Sequence, residues 1–331
     1  MPRVFAVKVI LSNEDKLILG KSFFDKPWVA FPASTTARDG LGPLFNQNAC
    51  LVCHPKGGRS EQRVIKLGNP NTVYGTQINT KSTGSVPVEA RVTIEYQTQT
   101  VQYANGDKVN LKKPVVKLDK LGYGAVNSGV SVRISPSLHG LSLLEKIPNK
   151  PKNRFNLTAD EPSILSQVAN AAHNDMGLTN LLYPNENCTQ QQVKCLQAPK
   201  SKDLDLPIQR LEAITYFVQS LNGVSAVKPI KLFGSLGCSS CHTPSYKLEK
   251  RIIYPYSDLL LHNVGNQGEG NFRTAPLWRS KKAPNFWHDG RAETVEEAIL
   301  WHQGEAQSAK EKFVNLSQNE REKLIKFIEE M

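Results

Sequence analysis

At 331 residues the chain is long enough to bury more than one core, and two domains fit that length better than one or three. The formal charge is +11, but Lys and Arg are scattered among acidic residues with no basic tract interleaved with aromatics, which argues against nucleic-acid binding. No apolar run approaches the roughly eighteen residues that a membrane-spanning helix needs.

In chain order, residues 20–60 are rich in Gly, Pro and small side chains and lead through Asp39–Asn46 into a Cys-containing motif. Residues 86–134 change character. Val92, Ile94 and Tyr96 alternate with polar neighbours, Asn105-Gly106-Asp107 reads as a hairpin turn, and Val109, Leu111 and Val115–Leu118 supply return strands. Helical spacing follows at Ile164, Val168 and Ala171, with Gly177 placed as a C-terminal cap, and again over 208–221 at Ile208, Leu211, Thr215, Val218 and Leu221. A polar stretch at 197–207 reads as the boundary between a first domain, 1–200, and a second, 201–331. A short linker at Val227–Pro229 precedes a second Cys-containing motif, and two helices close the chain. Capping boxes open them, Thr294 with Glu297 and Ser317 with Glu320, and the last buries Leu324, Phe327 and Ile328.

Four of the six cysteines form two copies of C-x-x-C-H, at Cys50-Leu51-Val52-Cys53-His54 and Cys238-Ser239-Ser240-Cys241-His242. On a helical turn this spacing lets both thiols reach the vinyl groups of one porphyrin and aims the following imidazole at the iron. A single copy also fits half a zinc site or a redox dithiol. Two copies, one in each half and with no further C-x-x-C pair, point to two covalently bound haem c groups with proximal ligands His54 and His242. Four propionates would lower the charge to about +7, still basic enough to favour an acidic partner. Cys188 and Cys195 lack the following His, so a surface disulfide is expected, with two free thiols as the alternative. The expected fold is mainly α, with two cytochrome c-like haem domains and a β-rich insertion at about 86–134 in the first. Haem attachment of this type takes place outside the cytoplasm. A periplasmic or otherwise exported location is therefore expected, although Met1–Leu11 has no clear cleavage site, and the leader is taken to have been removed or the start to be incomplete.

Several stretches resemble the di-haem oxidoreductase family of peroxidase-type enzymes, sometimes labelled thiol oxidoreductases. They are Asp39–Asn46, Gly140–Pro148, Asn174-Asp175-Met176-Gly177 and Tyr256–His262, so the resemblance spans nearly the whole chain. The C-terminal half is also similar to bacterial dihaem cytochrome c peroxidases and to the methylamine-utilisation dihaem enzyme, through His262–Gly265, Phe272–Leu277 and Trp287-His288-Asp289-Gly290-Arg291-Ala292. The chain departs from that pattern by lacking much of the spacer between Pro148 and residue 160, and by carrying Trp278 where the peroxidases have a polar residue. The resemblance implies that His288 bonds a haem propionate. It also implies a Met ligand at the place His302 takes here, and an interdomain calcium ion whose site Thr274 and Pro276 match in part.

The sixth iron ligand separates an electron carrier from a site open to peroxide. For the second haem His302 is favoured, because Val295, Ile299 and His302 fall on one apolar helix face. The alternative is a buried histidine bonded to a carbonyl. His262, in a turn with Asn263 and Gly265, reads equally as structural. For the first haem His139, His173 and Met176, the one internal methionine, all remain open, and Glu145 and Gln167 are the candidate distal acid/base groups. Glu145 reads equally as a solvated helix residue and Met176 as core. Trp278 and Trp301 are the nearest candidates in sequence for an aromatic bridge between haems. Three functions fit: peroxide reduction at the first haem with electrons entering through the second from a small, acidic donor protein; a dihaem electron carrier without catalysis; and an oxidase of an organic or thiol substrate.

Overall fold

The computed structural model describes residues 11–265 and 270–331. The expectation of a mainly α protein is overturned: about 30% of residues are helical and 20% lie in strands, spread over many small sheets. Strand structure begins well before residue 86. Arg63–Asn71 is the central strand of an antiparallel sheet, flanked by Gly75–Ile78 and Val130–Ile134. The signal was missed because Arg63–Asn71 contains Gly68 and Pro70, which break the alternation that marks a strand.

Between these strands runs a hairpin, Arg91–Gln102 paired with Lys108–Asp119 without interruption from Arg91↔Asp119 to Gln102↔Lys108. Twelve residues a side make a ribbon about 40 Å long, and its two ends serve different cores. At the base Val92, Ile94, Val116 and Leu118 pack on the sheet cluster of Ile65, Leu67, Ile78 and Val132. At the tip Tyr103 and Leu111 are buried with Phe313, Leu324 and Phe327 of the C-terminal helices. Tyr103 donates to Glu296 Oε1 at 2.5 Å, its ring lies 4.0 Å from the Arg321 guanidinium, and Ala104 N donates to the Val314 carbonyl.

The helices form where caps and apolar spacing coincide. Ser12 and Asp15 box the start of Asn13–Asp25, Ser163 and Ser166 that of Ile164–Met176, and Ser317 and Glu320 that of Gln318–Glu329. Asn13–Asp25 crosses Ile208–Ser220 so closely that a Cβ on Gly20 would lie 1.9 Å from the Ala213 carbonyl oxygen. The same core holds Phe24, Trp28, Met176, Leu211, Ile214 and Val218. Ile208–Ser220, expected in the second domain, thus packs with the elements of the first. Cys188 and Cys195 form a disulfide with Cα atoms 5.8 Å apart. Among the described residues no helix is long and apolar enough to cross a membrane.

Two stretches singled out in the sequence meet here. Gly42 N donates to the Met176 carbonyl, Asn46 N and Gln47 N to that of Asp175, and Gly42 and Gly177 touch backbone to backbone. Replacing Tyr103 with Ala removes the ring and the hydroxyl that fasten the hairpin tip. The expected loss is about 3–5 kcal/mol of stability, read by urea unfolding.

Candidate functional site

Each C-x-x-C-H forms one tight turn. Cys50–Cys53 is a single α-helical turn and Cys238–Ser240 a 3₁₀ turn, and in both the His amide donates to the carbonyl of the first Cys at 2.9 Å. All four cysteines are free of disulfides. Burial, and then Cys53, push the Cys50 thiol up to about 12; burial pushes Cys53 to about 12 and Cys238 to about 11, and raises Cys241. Such thiols stay protonated at neutral pH.

The imidazoles are in the opposite condition. Burial lowers His54 to about 4; burial and then the neighbouring His302 lower His242 to about 4; and burial lowers His302 as well. All three are neutral at pH 7, and each has Nδ1 against a backbone carbonyl: Gly58 at 3.3 Å for His54, Tyr256 at 2.9 Å for His242 and Ala298 at 2.7 Å for His302. A carbonyl only accepts, so Nδ1 carries the proton and Nε2 keeps its lone pair for a metal. The rings of His242 and His302 face each other with centres 6.4 Å apart. Two metal–imidazole bonds of roughly 2 Å each, plus the two ring radii, fill that separation, so the pair fits an iron between them. The expected helix face for His302 was not the device: the helix ends at Leu300, and His302 turns inward just beyond it through its amide bond to the Ile299 carbonyl.

Among the described residues no second imidazole stands at that distance from His54. Among the described residues, the recorded ring neighbour of His54 is Phe24, at 6.4 Å. His173 stacks on Tyr183 at 4.8 Å, with its Nδ1 shielded and without a partner. Met176 is buried in the cluster with Phe24 and Cys50, and His139 lies against Gly57 with Nδ1 3.2 Å from Ser137 Oγ. Glu145 accepts from Ile164 N at 3.3 Å and from Gln219 Nε2 at 3.4 Å, so it also caps the Ile164–Met176 helix. Gln167 Oε1 is shielded with no donor.

The Trp287–Ala292 segment joins the two halves. His288 is buried, stacks on Phe272 at 3.9 Å and gives its carbonyl to Ile134 N. Arg291 clamps Asp289 through Nε and Nη2 at 2.8 and 2.6 Å. Trp287, which the sequence marks only as part of the Trp287–Ala292 stretch, stands edge-on to His302 at 5.5 Å. Trp278 packs with Leu143, Leu144 and Leu259, while Trp301 lies under the Arg291 guanidinium. The Thr274 carbonyl is taken by Ser257 Oγ at 2.6 Å and Arg273 Nη1 at 3.3 Å. A guanidinium beside the oxygen expected to ligate calcium does not fit that ion. Cys241, Asp258 and His262 bring ligand-type atoms within 4.8 Å of one another, but Cys241 belongs to the C-x-x-C-H turn.

Comparison with known proteins bears out the motif resemblance over part of the chain. Residues 217–331 match the family described as "Di-haem oxidoreductase, putative peroxidase". The family carries haem and oxidation–reduction chemistry. No curated protein matches the chain. Among solved structures, a Kuenenia stuttgartiensis hydrazine synthase chain aligns at 13% identity and a TM-score of 0.43, covering 100% of this chain and 98% of its own. A MauG-like protein associated with microbial copper homeostasis aligns at 12% identity and 0.35, covering 93% and 92%.

His262 sits between Asp258 Oδ2 at 2.7 Å and Glu305 Oε2 at 2.8 Å. Burial opposes its charge, but the two carboxylates outweigh burial and raise its pKa. A raised histidine stabilises the fold fully below its unfolded value of about 6.5 and ceases to do so as pH rises through the folded value. The stability gap between the native protein and His262→Gln is therefore expected to be widest near pH 6 and to shrink as pH rises, as read by urea unfolding across pH.

Proposed function

We propose that this chain is an exported dihaem c-type cytochrome that reduces peroxide, with one haem joined to Cys50 and Cys53 and the other to Cys238 and Cys241. Electrons from a small acidic donor protein would enter at the second haem, whose two ligands are His242 and His302, and peroxide would be reduced at the first, whose proximal ligand is His54. When bound, haem supplies an iron that exchanges single electrons and, where one axial position is left to a small molecule, a place for peroxide.

The observation that supports this reading is the asymmetry between the two motifs. His302 faces His242 at 6.4 Å, whereas the recorded ring neighbour of His54 is Phe24. Two neutral imidazoles, His242 and His302, would hold the iron of the second site and suit it to electron transfer. At the first site Glu145 can move a proton between the two peroxide oxygens, and Gln167, with its shielded Oε1, can orient the molecule. His288 would hold a propionate. The scattered positive charge of the chain suits an acidic donor. The second reading, a pure electron carrier, is favoured by buried Met176 beside Cys50, which could close the first site through its sulfur.

Two measurements separate these readings. The oxidised and half-reduced holoprotein, followed by absorption and EPR, is expected to give one low-spin and one high-spin signal, the latter shifting with hydrogen peroxide. His302→Ala is expected to convert the low-spin signal to high spin. Two low-spin signals indifferent to peroxide at every redox level would leave the electron carrier. Glu145→Gln is expected to cut peroxide turnover by about 10²–10⁴-fold with both haem spectra retained.

A further inference from the structure

Five residues beyond His54, on the loop that leaves the first motif, Arg59 extends its guanidinium into the second half and donates through Nη2 to the Trp287 carbonyl. Its Nε is shielded from solvent and has no acceptor among the described residues. The neighbouring carboxylate is that of Asp289, but both of its oxygens are taken by Arg291, which donates to them from its backbone N at 3.1 Å and from its side chain at 2.6–3.0 Å. Arg291 and Asp289 cancel, leaving one positive charge over. A shielded guanidinium with one neutral acceptor and an idle N–H is costly unless an anion completes it. The place is specific: Trp287, whose carbonyl Arg59 holds, stands beside His302, so Arg59 spans the ground between the surroundings of the two iron-ligand histidines.

We infer that Arg59 is a haem-binding residue: its Nε and remaining N–H groups take a haem propionate at the junction of the two halves while Nη2 ties that propionate to the Trp287 backbone. The inference rests on the dihaem reading above. A guanidinium fits this task because it bonds a carboxylate through parallel N–H groups while keeping a third donor for the carbonyl. Burial strengthens the contact by excluding water from it. Arg59 thereby couples occupancy of a haem site to the docking of the 287–291 segment.

The test uses the holoprotein with both haems counted by their pyridine spectra, comparing the native chain with Arg59→Gln and Arg59→Lys. Resonance Raman of the propionate-bending bands and the two reduction potentials are measured at fixed pH. In Arg59→Gln the bending band of one haem is expected to shift and that haem's potential to fall, because the lost cation had favoured the more negative, reduced state. Arg59→Lys, which keeps the charge without the fork, is expected to restore the potential but not the band. Which haem owns the propionate is given by which potential moves, the second being marked by the His302-dependent low-spin signal. Two intact haems with unchanged bands and potentials in Arg59→Gln would overturn the inference while leaving the dihaem reading standing. So would a native potential that follows added chloride or phosphate at constant ionic strength and loses that response in Arg59→Gln, since a free anion would then fill the site. Failure to load two haems would instead overturn the dihaem reading beneath it.

Discussion

Three imidazoles in this protein are held by the same device, a bond from Nδ1 to a backbone carbonyl. Gly58, Tyr256 and Ala298 supply those carbonyls. Each bond fixes the tautomer, removes the freedom of the ring to rotate, and leaves Nε2 aimed away from its own backbone. Burial then keeps the rings neutral. Much of the surrounding architecture serves to bring those carbonyls into place. Tyr256 adopts a positive φ of 53°, is fully buried, and is anchored through its hydroxyl to the Val227 carbonyl. The 295–300 helix ends where it does so that His302 can turn back on Ala298.

The second constraint is mechanical. The two motifs are far apart in sequence, yet the chain brings their surroundings together by three separate routes. The hairpin ribbon carries Tyr103 and Leu111 into the C-terminal core. The Val130–Ile134 strand meets His288, both through the Ile134 amide and through Arg133, which lies 4.4 Å over the Phe272 ring on which His288 stacks. Arg59 reaches Trp287 from the loop after the first motif. The β content that displaces the expected helical fold is therefore what joins the halves. A twelve-residue ribbon, paired in unbroken register from its base to its tip, reaches from one core to the other.

The asymmetry of the two sites carries the functional argument. On the proposed reading, His242 with His302 would make the electron-transfer centre and His54, beside Phe24, would serve the catalytic one. Met176 and Glu145, which would decide between carrier and catalyst, both serve the local fold, as core and as helix cap.

The residues alone determined the two C-x-x-C-H turns, because that spacing closes on one turn of backbone through bonds between near neighbours. They also determined the caps at Gly177, Thr294 and Ser317, which depend only on neighbours three or four residues away. The sequence points to His302 for the second haem, and its ring centre lies 6.4 Å from that of His242, although the helix itself ends at Leu300. Tertiary structure alone decided the rest. The pairing of His242 with His302 and the reach of Arg59 to Trp287 join residues 60 and 228 positions apart, while the carbonyls that orient the rings, only 4–14 residues away, are aimed by the folded backbone. Backbone carbonyls carry no sequence signal of their own. The strand at 63–71 stayed hidden for a related reason: its pairing with 130–134 closes over more than fifty residues, and it is this long-range partner, not local alternation, that makes it a strand.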